Sequence, residues 1–378
     1  MFRCGILSYG CSSAAGPTKG DFWNSLRLGV DHSRPISGFL SGVCAWPDRE
    51  ALKERSPEST LDLLVRHLLL AWQDCLGGLD FLPRRLGVIL ASTKGCVDDW
   101  VWNERPDLSR DPLVPVLERF LIAAEINPIE TICVSNACTS SLTAVLLGRE
   151  WLRQDRVDHV LVLAVDHAGK FIHKGFETLK VVTPSVSRPF GNGRDGLCLG
   201  DAAAAILLGQ EGGLAEIESI ASDTEGFAVT RPSQSGASLR RACLAVGVPD
   251  ILPDLIIAHG TGTIVNDQIE DQVFTSLFGE HKIPVTGTKW CTGHTLGASA
   301  AMDMIAACET LRRQVVFRLA NTDEVDPLFH AHYLSAREPL PEHFRAERIL
   351  ISSLGFGGVH AAAIIKKTGK SPIMEASE

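Results

Sequence analysis

Short apolar runs alternate with longer amphipathic runs along almost the whole chain, and this alternation constrains the fold most strongly. Apolar runs of about four to eight residues predict buried strands, and apolar residues at helical spacing predict helices. Strands that alternate with helices favour a layered α/β architecture with largely parallel sheets. The predicted strands are Gly5–Tyr9, Leu86–Ala91, Thr131–Val134, His159–Val165, Ala203–Leu208, Leu214–Ala221, Leu255–Ala258, Ile283–Thr286, Arg348–Ser353 and Val359–Lys366. The predicted helices are Ser59–Cys75, Leu113–Glu125, Ser140–Arg153, Ser238–Val246, Asp267–Phe278 and Ala298–Arg313.

The same arrangement occurs twice. In each half a strand ends in a turn of small residues and a helix follows, at 132–141 (ICVSNACTSS) and again at 285–294 (VTGTKWCTGH). A duplicated α/β unit would place a site at the seam between its halves. We predict an N-terminal half over 1–210 and a C-terminal half over 211–367, because QEGG interrupts two strand-like runs there. Residues 368–378 have no apolar period and are predicted to be a disordered tail.

Composition excludes several classes of protein. The formal net charge of −9 argues against a non-specific nucleic-acid binder. No apolar stretch reaches the roughly 18 to 20 residues that a membrane span requires, so we predict no membrane insertion. The 11 cysteines are an odd number without a CxxC pair or zinc-like spacing, which indicates reduced thiols, a cytoplasmic protein and no bound metal.

Cys138 is the candidate nucleophile, since it stands between a predicted strand and a predicted helix in VSNACTSSLTA. Small neighbours permit a sharp turn that exposes the sulfur, as in a nucleophile elbow. The positive end of the helix dipole would lower the pKa of the thiol and favour the thiolate. The alternative for this segment alone is an ordinary buried cysteine at a strand–helix junction.

Three further polar side chains follow predicted strands in the second half. His259 enters the run GTGT, where glycines admit a ligand to the backbone and threonine hydroxyls can bond an amide-bearing ligand. Lys289 and His294 lie in GTKWCTGHTLGAS. Each alone is compatible with a structural role. Together with Cys138 they form a more specific constellation at equivalent junctions of a repeated fold.

A glycine-rich turn at 354–358, LGFGG, follows the predicted strand Arg348–Ser353. Such a turn can supply backbone N–H groups to an oxyanion, and Phe356 can act as a gate. The alternative is a plain hairpin turn.

These segments resemble the β-ketoacyl synthases of the thiolase superfamily, in particular the elongating class with a Cys-His-His set. The resemblance extends from ILSYGCSSAAG near the start, through SRPFGNGRDGLCLGDAAAAILL, to the glycine-rich turn. It implies the five-layered αβαβα thiolase-like fold with internal duplication. It also implies decarboxylative condensation of an enzyme-bound acyl group with malonyl carried on an acyl carrier protein, in fatty acid or polyketide and polyene biosynthesis.

The resemblance also implies residue roles. Cys138 would be acylated, His259 and His294 would bind the malonyl thioester carbonyl, and Lys289 would orient or charge-balance the two histidines. The N–H groups of Cys138 and Phe356 would form the oxyanion hole, with Phe356 as gate. The phosphopantetheine arm would contact Thr261, Thr263 and Thr230, and the acidic carrier protein would dock at Arg188. No cofactor is implied, because the phosphopantetheine arrives on the substrate, and members are usually dimers, here a homodimer or a heterodimer with a synthase-like subunit.

Two alternatives are open. A chain-length-factor-like subunit of a synthase heterodimer would lack the nucleophile, whereas Cys138 is present. A thiolase would need a second catalytic cysteine in the glycine-rich loop, which reads LGFGGVH. His360 replaces a frequent asparagine there, and the regions 35–86 and 94–131 are shorter than in typical elongating enzymes, so substrate size is the least constrained property.

Overall fold

The computed structural model describes residues 2–36, 39, 42–48, 59–81, 83–101, 111–230, 232–279 and 281–369. The strands within them are β1 Gly5–Ser13, β2 Arg34–Pro35, β3 Gly42–Cys44, β4 Leu86–Ala91, β5 Glu130–Val134, β6 His159–Asp166, β7 Leu199–Gly200, β8 Ala202–Gly209, β9 Ala215–Thr224, β10 Leu255–Ile257, β11 Pro284–Thr286, β12 His332–Tyr333, β13 Arg348–Gly355 and β14 Val359–Lys367. The α-helices are α1 Lys19–Leu28, α2 Thr60–Leu76, α3 Asp98–Val101, α4 Val114–Ala123, α5 Ser140–Arg153, α6 Lys170–Thr178, α7 Ala237–Ala245, α8 Ile264–Phe278, α9 Lys289–Thr292 and α10 Ser299–Arg313, with a 3-10 turn at Leu296–Ala298.

Every predicted strand and helix coincides with an observed element, although several bounds differ. The prediction omitted helices α1, α3, α6 and α9, of which α6 is nine residues long and does carry its apolar side chains at helical spacing. It also omitted the short strands β2, β3, β7 and β12, whose sequences show no period.

The sheet topology repeats. The large sheet has the order β12-β11-β10-β13-β14-β9-β1-β8-β6-β4-β5. In the first half β1 and β8 are antiparallel, β8 and β6 are antiparallel, and β6, β4 and β5 are parallel. The second half repeats this with β9, β14, β13, β10 and β11. Among the described residues, a short antiparallel pairing of Gly5–Ile6 with Ala215–Glu216 joins the two five-stranded units into one sheet.

Helices cover both faces of each unit, which yields the five-layered thiolase-like α/β fold. Helices α5 and α10 pack against each other between the units, while α2 covers β1 and β8, and α7 covers β9 and β14. Most of α10 is buried, and its many alanines permit this close packing.

Strand β6 illustrates why its sequence is apolar without alternation. Val160 and Val162 belong to the large apolar cluster around the inner helices. Leu161 and Leu163 belong to the cluster around α2 and α4 on the opposite face. Successive strand side chains point to opposite faces, so burial of both faces requires an unbroken apolar run.

The predicted division at 210/211 falls in the link between β8 and β9. The assignment of 1–210 and 211–367 to separate halves stays a prediction, as does the disordered tail, of which 370–378 lie outside the described residues. Thr368 donates a hydrogen bond to the carbonyl oxygen of Gly213 at 2.8 Å. In the described part of the chain, no helix has both the length and the apolar character to cross a membrane.

Candidate active site

Cys138 lies on a sharp turn between β5 and α5, as predicted. Ala137 has a positive φ of 48°, which is uncommon for a residue with a Cβ atom. The Ser140 hydroxyl stabilises this conformation by accepting from the Asn136 N–H at 2.8 Å and donating to the Ala137 carbonyl at 2.6 Å. The small side chains of NACTSS therefore fix the direction of the thiol.

The fold brings Cys138 together with both predicted histidines. The Cys138 Sγ lies 3.1 Å from the His294 Nε2. The His259 and His294 rings are perpendicular, with centroids 5.1 Å apart. Donor atoms of all three residues lie within 4.8 Å of one another, and all three side chains are buried. One group from the first half thus meets two from the second half at their seam.

The prediction of a lowered Cys138 pKa was wrong. Burial raises the pKa of this thiol to about 12, and hydrogen bonds from the Phe356 N–H and its own N–H, with the charge of Lys289, offset only part of this. Burial penalises the charged thiolate, and this cost exceeds the stabilisation by the helix dipole. Cys138 is therefore a thiol at rest, and its Sγ lies within hydrogen-bond distance of the His294 Nε2.

The two histidines are neutral at ordinary pH. Burial and the nearby Lys289 charge lower the pKa of His294 to about 3. Burial, followed by Lys289, also holds the pKa of His259 well below its usual value. The His294 Nδ1 lies 2.8 Å from the Ser299 hydroxyl, which can donate or accept because it rotates. Either tautomer of His294 is therefore satisfied, so its Nε2 can accept or donate a proton.

A buried carboxylate holds the His259 segment. Glu270 on α8 accepts from the N–H groups of His259 at 2.8 Å and Gly260 at 2.7 Å, and from the Ser352 hydroxyl at 2.7 Å. Burial raises its pKa to about 7. Glu270 was not predicted as a site residue, although it lies on the helix that follows GTGT, from which an acidic side chain can face that loop.

Lys289 forms a buried ion pair with Asp303 on α10, with Nζ 3.0 Å from Oδ2. The Thr288 hydroxyl bonds the other carboxylate oxygen at 2.5 Å. Burial raises the pKa of Asp303, and the Lys289 charge opposes that rise. The direct contact of Lys289 is therefore to Asp303, and its charge adds to the effect of burial in lowering the pKa of both histidines. Its predicted role toward the histidine pair stays a prediction.

The glycine-rich turn is a hairpin between β13 and β14 and also borders the nucleophile. A Cβ atom on Gly355 would lie 3.2 Å from the Ala137 Cβ and 3.4 Å from the Cys138 nitrogen, so glycine permits the close approach. The N–H groups of Phe356 and Cys138 converge at the sulfur. Two convergent backbone donors are the geometry that stabilises an oxyanion.

A cavity of about 360 Å³ opens onto these groups. Cys138, His259, His294 and Phe356 line it, together with the three predicted threonines, Thr230, Thr261 and Thr263. Arg188 does not line this cavity and instead borders a depression beside Asp323 and Glu324. Its predicted docking role stays a prediction. Lys180, on the rim of the active-site cavity, is the nearer cation.

The Cys138, His259 and His294 donor atoms are close enough together to hold a soft metal ion. The same atoms suit thioester chemistry without one, and the predicted absence of metal stays a prediction.

The duplicated α/β fold and a buried Cys-His-His site at its seam define the class of thiolase-fold condensing enzymes. Two family models match in sequence: the beta-ketoacyl synthase N-terminal domain over residues 130–211 and the C-terminal domain over 214–323. The chain belongs to the beta-ketoacyl synthase family and is a condensing acyltransferase, which confirms the resemblance seen in the sequence.

Named relatives come from two groups of bacteria. A Streptomyces virginiae protein described as a polyketide beta-ketoacyl synthase 1 is 30% identical over 77% of both chains. The tetracenomycin polyketide synthase ketoacyl synthase alpha subunit of Streptomyces glaucescens is 27% identical over 97% of both chains. Nodulation protein E of Rhizobium sp. (strain N33) is 34% identical, but the match spans only 51% of this chain and 52% of that protein.

Two solved structures have the same fold. The ishigamide ketosynthase/chain length factor has a TM-score of 0.81 and 25% identity, covering 97% of this chain and 100% of the other. The ketosynthase of a type II PKS, in complex with its acyl-carrier protein, has a TM-score of 0.80 and 22% identity over the same shares.

Proposed function

We propose that this protein is an elongating ketosynthase of polyketide biosynthesis that condenses an acyl group on Cys138 with malonyl carried by an acyl carrier protein. The observation that carries the proposal is the Cys138 thiol 3.1 Å from the His294 Nε2, with His259 in the same cavity. Polyketide rather than fatty acid biosynthesis is favoured because the whole-length relatives are named for polyketide synthesis.

In the first step the Cys138 sulfur attacks the incoming thioester carbonyl and its proton passes to His294. The N–H groups of Cys138 and Phe356 hold the oxyanion. When the carrier's carbon–sulfur bond breaks, the departing thiolate takes that proton. The acyl group then remains on Cys138.

In the second step the malonyl thioester loses CO₂, and the bonding electrons move to the thioester oxygen as an enolate. Neutral imidazoles at His259 and His294 donate hydrogen bonds to that oxygen. The enolate carbon attacks the acyl carbonyl, the Cys138 carbon–sulfur bond breaks, and the Cys138 thiolate that leaves takes up one proton from solvent, which the overall reaction consumes. The product is a β-ketoacyl thioester longer by two carbons.

The phosphopantetheine arm must enter the cavity together with the reacting group that it carries. Hydroxyls at Thr261 and Thr263, 3.0 Å apart, and at Thr230 are suited to its amides. The protein then needs no bound cofactor.

We propose the acyl carrier protein as partner, with Lys180 at the rim and Arg188 as the cations for its acidic surface. The free state of all eleven cysteines supports a reducing compartment, the cytoplasm.

We also propose a dimer, formed with a second copy or with a synthase-like subunit. Strand β5 is the last strand of the large sheet among the described residues. It exposes Ile132 by 41%, and the adjacent Ile129 is exposed by 57%. An apolar edge strand in a stable protein is usually covered. The alternative function, a chain-length factor without catalysis, is disfavoured by the intact Cys138 site.

Intact-mass analysis after incubation with acyl-carrier-protein thioesters of several chain lengths tests the proposal. Wild type is expected to gain one acyl mass and Cys138→Ala none. Cys133→Ala removes a half-buried thiol on β5 and should acylate like wild type, which controls for cysteine loss near the site. Absence of acylation from every donor would contradict an active synthase and favour the chain-length-factor alternative.

A further inference from the structure

A second aromatic ring lies against the predicted gate. Helix α6 carries Phe176, whose ring stacks on Phe356 with centroids 5.4 Å apart and an interplanar angle of 21°. The Phe176 ring also meets the His294 imidazole edge-on, at 6.5 Å and 77°. Both phenylalanines line the cavity that contains Cys138. The nucleophile is therefore bordered by a closed pair of rings rather than by a single side chain.

Apolar material lies behind this pair. Phe176 packs against a cluster that includes Ile172, Leu197, Leu199 and Leu296. Leu296 follows His294 by two residues, and Leu199 forms a backbone bridge with His294. The cluster therefore begins beside the Cys138 site: Leu197 already lines the cavity, and the Phe176 ring, which packs on the cluster, covers the approach from Phe356 to its other members. The cluster is the apolar environment that an alkyl chain on Cys138 would reach once the Phe176 ring moved aside.

Helix α6 is anchored by buried side chains and by the contact of Glu177 with His173 at 2.9 Å, but its backbone borders open space at Gly175. Ile172 and His173 are buried, and the His173 ring stacks on Phe39 with centroids 4.0 Å apart. Near Phe176, in contrast, a Cβ atom built on Gly175 would meet nothing within 4 Å. The space around this turn of the helix lets the Phe176 side chain be replaced without disturbing a packed backbone.

We propose that Phe176 is a specificity-determining residue, which together with Phe356 confines the acyl group on Cys138 to short chains. This inference rests on the proposed function, because it concerns the acyl group that the proposed reaction places on Cys138. A short acyl group fits in the cavity in front of the stacked rings. A longer chain must displace Phe176 to enter the apolar cluster, and the lost ring contacts count against it.

Acylation by carrier-free N-acetylcysteamine thioesters of two, four, six and eight carbons tests the proposal, with the adduct on Cys138 measured by mass. Wild type should prefer the shortest donors. Phe176→Ala and Phe176→Leu should raise the ratio of eight-carbon to two-carbon acylation by roughly tenfold or more, as expected for pocket discrimination between chain lengths. Phe176→Tyr keeps the ring and should stay near wild type. Phe171→Ala removes an exposed phenylalanine of the same helix and should change nothing.

A second measurement does not depend on acyl transfer. Iodoacetamide and its N-hexyl derivative alkylate Cys138 at rates that can be compared by peptide mass in wild type and variants. The proposal expects the N-hexyl rate, relative to iodoacetamide, to rise in Phe176→Ala and Phe176→Leu. An unchanged ratio in both variants would overturn it. If wild type alkylates but accepts no thioester, the proposed function fails while the alkylation ratio still decides the role of Phe176.

Discussion

The two halves of the molecule repeat one strand–helix junction and use it differently. In the first half, residues 135–139 join β5 to α5 in a tight turn that presents one thiol. In the second half, residues 287–298 join β11 to α10, and this longer link contains a short helix, Lys289 and His294. Strand order is the same in both units, so the chemistry differs because the junctions differ.

The halves also differ in how each junction is held. The first junction is held by several local bonds around Ala137 and Ser140 and by one bond from the second half, from the Ser353 hydroxyl to the Cys138 carbonyl at 3.2 Å. The second is held from the first half: the Asp166 carboxylate accepts from the Gly297 N–H at 2.7 Å, and the Cys198 carbonyl accepts from the His294 N–H at 2.7 Å. The tight turn at Cys138 fixes the direction of the thiol. The segment that carries His294 has to be positioned relative to the first half, where Cys138 lies, and its hydrogen bonds to that half do this.

The largest expected effect on rate is a loss of malonyl decarboxylation or of acylation that depends on which side chain is removed. His259→Ala and His294→Ala should each slow malonyl decarboxylation about 10²–10³-fold, since each removes a hydrogen bond to the enolate. His294→Ala should also slow acylation, because its Nε2 is the proton acceptor beside Cys138, whereas His259→Ala should acylate at near the wild-type rate. Separate assays of ¹⁴CO₂ release and acyl mass would measure this.

Cys138→Ala is the matched control for that prediction. It should abolish acylation but leave decarboxylation measurable, since the second-half donors remain. Equal loss of both steps in all three variants would mean that the halves do not divide the work as proposed.

Comparison of sequence and structure explains which features were predictable. Strands such as His159–Asp166 were found because burial on two faces demands an apolar run. The Cys-His-His set was found because each member follows a strand in a recognisable motif. Helix α6 was missed because it has only nine residues, fewer than the window over which a helical period is recognised, although its apolar side chains lie on one face.

Properties that depend on three-dimensional burial were the least predictable. The Cys138 pKa was predicted in the wrong direction, since no local pattern reveals that the folded chain buries this thiol. The stack of Phe176 on Phe356 joins residues far apart in sequence and has no local signal. The position of Arg188 at a different depression likewise follows from the path of the chain between β6 and β7.

A further effect, on stability rather than on rate, concerns the buried charge of Lys289 in the second junction. Asp303→Asn leaves the Lys289 ammonium buried without its counter-charge, and such a loss typically costs about 3–5 kcal/mol of unfolding free energy. Arg85→Ala breaks an exposed first-half pair with Asp158 and should cost less than about 1 kcal/mol. Urea titration of both variants measures the difference. Similar costs would show that the Lys289–Asp303 pair is not a stabilising feature of the second half.

The smallest expected effect is a pH dependence that arises from the His259 segment. Because burial raises the folded-state pKa of Glu270 to about 7, the folded protein binds this proton more tightly than the unfolded chain, whose carboxyl has its usual pKa of 4.5. Stability should therefore fall as pH rises from 4.5 to about 7, by an amount on the order of 1–3 kcal/mol, and change little above. Glu270→Gln should flatten this slope in urea titrations across that range.

Glu309→Gln provides the control for the direction of that slope. Burial tends to raise the pKa of Glu309, but hydrogen bonds from Arg313 and Arg312 bring it below the usual value. Its contribution is therefore complete above pH 4.5 and is lost only as pH falls further, so this variant should keep the wild-type slope between 4.5 and 7. If Glu270→Gln also kept that slope, the carboxylate beneath His259 would be ionised throughout, and the segment would be held by a full negative charge near two neutral imidazoles.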